Sequence, residues 1–273
     1  MAIITISRGT FGGGKELAES IAGRLGYRCI SREELLTNTA SQYVVPEGGL
    51  RAALDTKPGL LEGVSLRRIH YIAYVRATLA IIVKDDDVVY HGLVGHLLIK
   101  GAPHIFRVRV IADMEFRIKA AVDQHGFSRE NAIRLIKKVD CDRARWVRSI
   151  YHVDWQDPSL YDLVVDLEHA SISNACDMVV EAVETKFQTT PESQKAIDDF
   201  VVSTEVRARI AADRGIEDTE VEIEADGDVV TIDGKADSMG EANRIMRVVR
   251  ETPGIREVKS DLRVRTSGQK DGG

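Results

Sequence analysis

Seven residues near the start of the chain, Gly9-Thr10-Phe11-Gly12-Gly13-Gly14-Lys15, have the types and spacing to hold phosphate. Gly9, Gly12, Gly13 and Gly14 let the backbone turn tightly and aim several N–H groups at one anion. Lys15 brings a mobile point charge to the outer phosphates, and the spacing matches G-x-x-x-x-G-K. A helix starting at once would add the positive end of its dipole. Glu16 stands where a metal-holding hydroxyl usually follows the lysine. It either points away, or metal is held differently, or the loop does not support phosphoryl transfer.

The elements that must position this loop are readable around it. The β-branched run Ile3-Ile4-Thr5-Ile6 predicts a strand leading in, and Leu17, Ile21, Ala22 and Leu25 keep helical spacing leading out, with Gly26 as a stop. A short segment follows at Tyr27–Ile30, and Ser31 with Glu34 predicts a capped helix start. Pro46, Gly48, Gly49, Pro58 and Gly59 predict a mobile connection over 44–60. Leu66–Lys84 reads as a helix carrying Arg67, Arg68 and Arg76. Strands are expected at Val88–Tyr90, Phe106–Ala112 and Leu163–Leu167. Helices are expected at Glu115–His125, after Ser128, over Asp140–Ser149 and at Ser173–Phe187. This alternation predicts an α/β fold, a parallel sheet with helices on both faces, its ligands beyond the carboxyl ends of the strands.

Residues 189–195 are polar, contain Pro191, and predict a linker between a domain at 1–188 and another at 196–266, with 267–273 a disordered tail. The second domain reads helix, two strands turning at Asp226-Gly227, helix, strand: a small α+β unit. Residues 192–273 hold 13 Lys and Arg against 19 Asp and Glu, so the acidic excess of the whole chain (net −6) lies there. That excludes a general nucleic-acid surface on this part. Cys29, Cys141 and Cys176 show neither zinc spacing nor a disulfide framework. No secretory leader pattern opens the chain, and the apolar stretch Ile72–Val83 is too short to span a bilayer, so a cytoplasmic protein is expected.

Three stretches together are similar to the cytidylate kinase-like branch of the phosphate-loop nucleoside monophosphate kinases. They are Ile4–Arg8 with Phe11–Gly14 and Glu16-Leu17-Ala18; Arg107–Val110 with Glu115 and Arg117; and Asp142–Arg145 with Asp154-Trp155 and Asp157–Leu163. The resemblance implies an ATP-binding core, Mg²⁺, a monophosphate pocket and an arginine-bearing lid. Arg143, Arg145 and Arg148 fall where the lid would be, and Arg117 at a position beside the ATP base. On residue chemistry alone, the same arginines would be a solvated face paired with Asp140 and Asp142. The branch often carries an acid after the basic residue, which accommodates Glu16.

After Val88–Tyr90 the branch commonly shows Gly-Arg, the arginine serving the acceptor; here the residues are His91-Gly92-Leu93-Val94-Gly95-His96. His91 and His96 either bind phosphate, or sense pH near neutrality, or are core histidines. Arg32 is a candidate to supply the missing charge, with Arg67, Arg68 and Arg76. Residues 196–266 resemble the BON domain, through Val221–Gly234, Pro253-Gly254-Ile255 and Leu262-Arg263-Val264, which implies a module binding a small ligand, an envelope component, a protein partner or a second copy. The expectation is an ATP-dependent kinase for a nucleoside monophosphate, CMP or dCMP by resemblance. The rivals are a nucleotide-responsive regulator with little turnover and a kinase for another small acceptor.

Overall fold

The computed structural model describes residues 2–55, 65–92, 94–99, 104–217 and 221–265. In chain order the elements are β1 (Ile3–Arg8), α1 (Gly14–Leu25), β2 (Arg28–Ser31), α2 (Arg32–Tyr43), α3 (Glu47–Asp55), α4 (Leu66–Val83), β3 (Val88–His91), α5 (Gly95–Leu98), β4 (Ile105–Ile111), α6 (Met114–His125), α7 (Arg129–Tyr151), β5 (Leu163–Asp166), α8 (Ile172–Lys186), α9 (Pro191–Ala212), β6 (Val221–Asp226), β7 (Val229–Ala236), α10 (Met239–Arg250) and β8 (Glu257–Val264).

β1 is the middle strand of a five-stranded sheet in the order β2-β3-β1-β4-β5, every pair parallel. Ile3, Ile4, Thr5, Ile6 and Ser7 are all buried, so β1 reads as an unbroken apolar run because both its faces are covered. Ile4, Ile6, Leu17 and Ile21 pack with Val179 and Val183 on one side. Ile3 packs with Leu35, Val75, Leu79 and Trp146 on the other. Register pairs Ile6 with His91 and Ser7 with Arg109, so the carboxyl ends of β1, β3 and β4 deliver Arg8, His91 and Arg109 to one edge of the sheet.

The second sheet runs β6-β7-β8, with β6 and β7 antiparallel around Gly227 at φ 62° and β7 parallel to β8. Both predicted domain architectures are present, α/β and then α+β. Helix α9 joins them by packing two ways. Ile197, Phe200, Ala208 and Ala211 lie against α4 in the core beneath the large sheet. Val206 and Ile210 lie in the small core with Val230, Ile232 and Ile245. The Tyr74 hydroxyl donates to the Ala211 carbonyl at 3.0 Å across the same contact.

Three expectations need correction. The mobile connection over 44–60 contains α3 over Glu47–Asp55; Pro46 precedes the helix, and Gly49 lies under Tyr71, where a Cβ would come within 2.8 Å of the ring. The expected linker 189–195 is largely helical: α9 begins at Pro191, and Thr190 and Ser193 form a reciprocal capping box. The helix after Ser128 and the charged stretch to Ser149 are one helix, α7, because no breaker separates them. Pro58, Gly59, Leu93 and the tail 267–273 lie outside the described residues.

Candidate active site

The glycines fold the loop as their chemistry requires. The Gly12 N–H donates to the Gly9 carbonyl at 3.2 Å. Gly13 sits at φ 75° as the residue capping α1, a conformation costly for side chains with a Cβ. A Cβ at Gly14 would lie 2.4 Å from Cδ of Arg8, so Gly14 is the gap through which Arg8 crosses the start of α1. Beside the loop lies a cavity of about 380 Å³, lined by Arg8, Thr10, Phe11 and Lys15 with Phe116 and His125 of α6. The Lys15 side chain is exposed, its ammonium 3.7 Å from Glu19. Glu16 accepts a hydrogen bond from Gln124 at 3.3 Å, which turns its carboxylate toward α6.

Thr10 is held from α6 and α7 by three side chains. The Thr10 N–H and hydroxyl donate to Oδ1 of Asp140 at 3.2 and 3.1 Å. Arg117 donates to the Thr10 carbonyl at 2.8 Å and also to Oδ2 of Asp140. Arg143, one turn along α7, donates to the Thr10 hydroxyl at 3.3 Å. Of the sequence-predicted residues, Gly9, Gly12, Gly13, Gly14, Lys15, Glu16, Arg117 and Arg143 therefore share one locality, Glu16 and its partner Gln124 both lining the cavity beside the loop. Arg145 and Arg148 do not join them; Arg145 is exposed, and Arg148 pairs with Asp154 at 3.7 Å. Their angular positions on α7 direct them away from the face that carries Asp140 and Arg143.

A second group lies where β1, β2 and β3 end. Arg32 is buried at the start of α2, and a Cβ on Gly92 would lie 2.9 Å from its own Cβ. The charges of Arg8 and Arg32 act on each other and on the Tyr90 phenol. His91 is 4% exposed, and burial followed by the charge of Arg8 pushes its pKa down. His96 is 6% exposed, neither ring nitrogen has a hydrogen-bond partner among the described residues, and its ring packs 4.7 Å from Tyr161. Burial, then Arg107 and Arg109, push the His96 pKa down to about 4, so near neutrality it offers a neutral imidazole. Arg109 is 9% exposed, lies 4.9 Å above the Trp155 ring and donates to the Trp155 carbonyl at 2.5 Å. The Tyr161 hydroxyl donates to that carbonyl at 2.7 Å and lies 3.3 Å from the Ser7 hydroxyl.

Arg8, Thr10, Arg109 and Asp140 were not singled out as site residues from sequence. Arg8, Thr10 and Arg109 stood inside the quoted motifs, and that was the available signal. Thr10 and Asp140 are 130 positions apart, and no spacing rule links them. Among the described residues one trio, half-buried Asp166 with exposed Glu168 and His169, has metal-ligating atoms close together. It runs from the last residue of β5 into the turn that follows, and the Asp166 carboxylate accepts the Glu168 N–H at 3.0 Å. No described helix is long and apolar enough to cross a membrane.

A central parallel strand that runs into a glycine turn and a helix, with arginines brought over the turn from later elements, defines a phosphate-loop α/β protein. The chain belongs to the cytidylate kinase-like family, whose model matches residues 3–169, and a BON domain model matches residues 198–266. A cytidylate kinase of Pyrobaculum aerophilum is 25% identical over 176 residues, which cover 64% of this chain and 89% of that protein. An uncharacterized protein from Eubacterium ventriosum shares the fold at a TM-score of 0.52 and 18% identity, over 68% of this chain and all of that one. A shikimate kinase from Bacteroides thetaiotaomicron aligns at a TM-score of 0.41 and 11% identity, over 67% of this chain and 98% of its own.

Proposed function

We propose that this protein transfers the γ-phosphoryl group of ATP to a nucleoside monophosphate, CMP or dCMP, in the cytoplasm. The observation that carries the reading is the convergence on Thr10, where Asp140, Arg117 and Arg143 bind one residue of the phosphate loop from two helices. The loop fits a polyphosphate, since its glycine backbone leaves a cradle that side chains would fill. Lys15 reaches the outer phosphates, and Arg143 spreads its fork over the transferring group. Arg8 and Arg32 are the cations placed for the acceptor's own phosphate, in place of an arginine after β3. His91 and His96 there act as neutral hydrogen-bonding groups. The acceptor is already an anion, so catalysis rests on positioning and charge neutralisation. Mg²⁺ supplies charge neutralisation between the phosphates when bound with ATP. With Glu16 engaged by Gln124, the loop offers it no hydroxyl after the lysine.

The rival is a nucleotide-responsive regulator that signals through the BON-like part; Glu16 and the histidines after β3 favour it. ATP consumption with Mg²⁺ against a panel of nucleoside monophosphates, with Lys15→Ala as control, separates the two. Lys15-dependent turnover with CMP or dCMP supports the kinase. Turnover with another monophosphate refutes the pyrimidine assignment. ATP binding with no turnover on any monophosphate refutes the monophosphate-kinase reading and favours the regulator or a kinase for another small acceptor.

A further inference from the structure

Strand β8 ends the small sheet, whose order is β6-β7-β8, so one of its two edges has no strand against it among the described residues. None of its residues, Glu257–Val264, is buried. The Glu257 N–H donates to the Asp228 carbonyl at 3.3 Å and the Arg265 N–H to the Ala236 carbonyl at 2.9 Å, so the odd-numbered residues bond to β7. Alternation then turns the N–H and C=O of Val258, Ser260 and Leu262 toward the open edge. There the Leu262 N–H donates at 3.4 Å to the Ser260 hydroxyl of its own strand. An exposed edge of this length is a template for another strand.

The charges on β8 select which strand. Val258, Leu262 and Val264 pack into the small core, so Glu257, Lys259, Asp261 and Arg263 share the outer face, all exposed and alternating in sign. Within the chain they are poorly matched: register sets Asp261 beside Asp233 and Arg263 beside Lys235, like charges that oppose pairing. Glu257 and Lys259 of β8 itself are 4.0 Å apart. We propose that β8 pairs antiparallel with β8 of a second copy, about a two-fold axis at Ser260. Lys259 then faces Asp261 of the other chain, and Glu257 faces its Arg263, each twice by symmetry. Val258 meets Leu262 on the core side. The outward N–H and C=O groups of Val258, Ser260 and Leu262 fall at the hydrogen-bonded pairs. Moving the register by two residues would set Asp261 on itself or Lys259 on itself, and moving it by one would turn the core face outward. A guard of one sign would repel a second copy, whereas this order attracts it and joins the two small sheets into one.

The test is analytical ultracentrifugation of the full chain over a micromolar dilution series. The chain is expected to sediment as a dimer that dissociates on dilution. Lys259→Glu and Asp261→Lys each set like charges together at both symmetric places, and each should raise the dissociation constant about tenfold or more. An equimolar mixture of the two single variants should recover the dimer, as should the double variant carrying both changes, because opposite charges face each other again. Recovery in the mixture also shows that both single variants fold. A monomer throughout the series overturns the proposal. So does a dimer indifferent to both variants, or one that they weaken and that neither the mixture nor the double variant restores. None of these outcomes touches the kinase reading, which rests on the phosphate loop.

Discussion

Replacing Asp140 with Asn separates what this residue does for the fold from what it does to a bound anion. The carboxylate accepts from the Thr10 N–H, from the Thr10 hydroxyl and from Arg117. The Arg117 and Asp140 side chains are 12% and 19% exposed. Hydrogen bonds to a charged group contribute about 1.5–3 kcal/mol, and an amide keeps the acceptor but loses the charge, so stability should fall by about 1–2 kcal/mol. A phosphate on the Thr10 N–H would meet Asp140 as a like charge. At 4 Å and an effective dielectric near 20 that repulsion is about 4 kcal/mol as an upper bound, and solvent screening reduces it to about 1–2 kcal/mol. ATP should therefore bind about tenfold more tightly to a less stable protein. Turnover should drop, because Arg117 and Thr10 lose the charge that orients them for Arg143. Urea unfolding and titration with ATP give the two numbers. Unchanged stability together with unchanged or weaker ATP binding would refute the claim that Asp140 holds the loop.

Arg143→Ala should lower turnover by about 10²-fold or more with little change in ATP affinity, whereas Arg145→Ala and Arg148→Ala stay within a few-fold; steady-state kinetics decide it. Gly14→Ala should displace Arg8 and raise the apparent KM for the acceptor, measured with saturating ATP. His96 has a folded pKa of about 4, below its unfolded value, so the unfolded chain binds the extra proton between the two. Its contribution to stability is complete above about pH 6.5 and is lost as pH falls toward 4, roughly 2 kcal/mol by pH 5. Urea unfolding at pH 7 and pH 5 should show that loss in the wild type and a smaller one in His96→Gln; His91 acts in the same direction. Phe200→Ala should cost about 3–5 kcal/mol, read as a lower unfolding midpoint.

The strands and the loop were legible because their signals are local. β1 is an apolar run with a glycine turn after it, and Ser31 does cap α2 by accepting the Glu34 N–H at 3.1 Å. α3 was missed because Gly48 and Gly49 count as breakers, and only Tyr71, from another helix, explains Gly49. The start of α9 carried its own signal in Thr190-Pro191 and Ser193, outweighed by polar composition. At the site, glycine spacing identified the loop, but the residues that meet Thr10 come from α6 and α7, which no local rule connects to it. Arg145 and Arg148 were expected in the lid from the resemblance, whereas residue chemistry alone made them a solvated face; helical phase separates them from Arg143. The histidines looked titratable near neutrality because burial, with Arg8 beside His91 and the arginines of β4 beside His96, is a tertiary fact.

Helix α9 supplies side chains to two cores at once, and this makes the chain indivisible in practice. Ending it near residue 190 would strip Ile197, Phe200, Ala208 and Ala211 from α4 and leave an oily stripe in water. Starting it there would expose the opposite loss on the helix itself. The family boundary, drawn by ancestry, therefore differs from the boundary drawn by folding. Heat or denaturant should melt both parts together in one transition, and grafting this C-terminal module onto another kinase would have to bring a matching α4 with it.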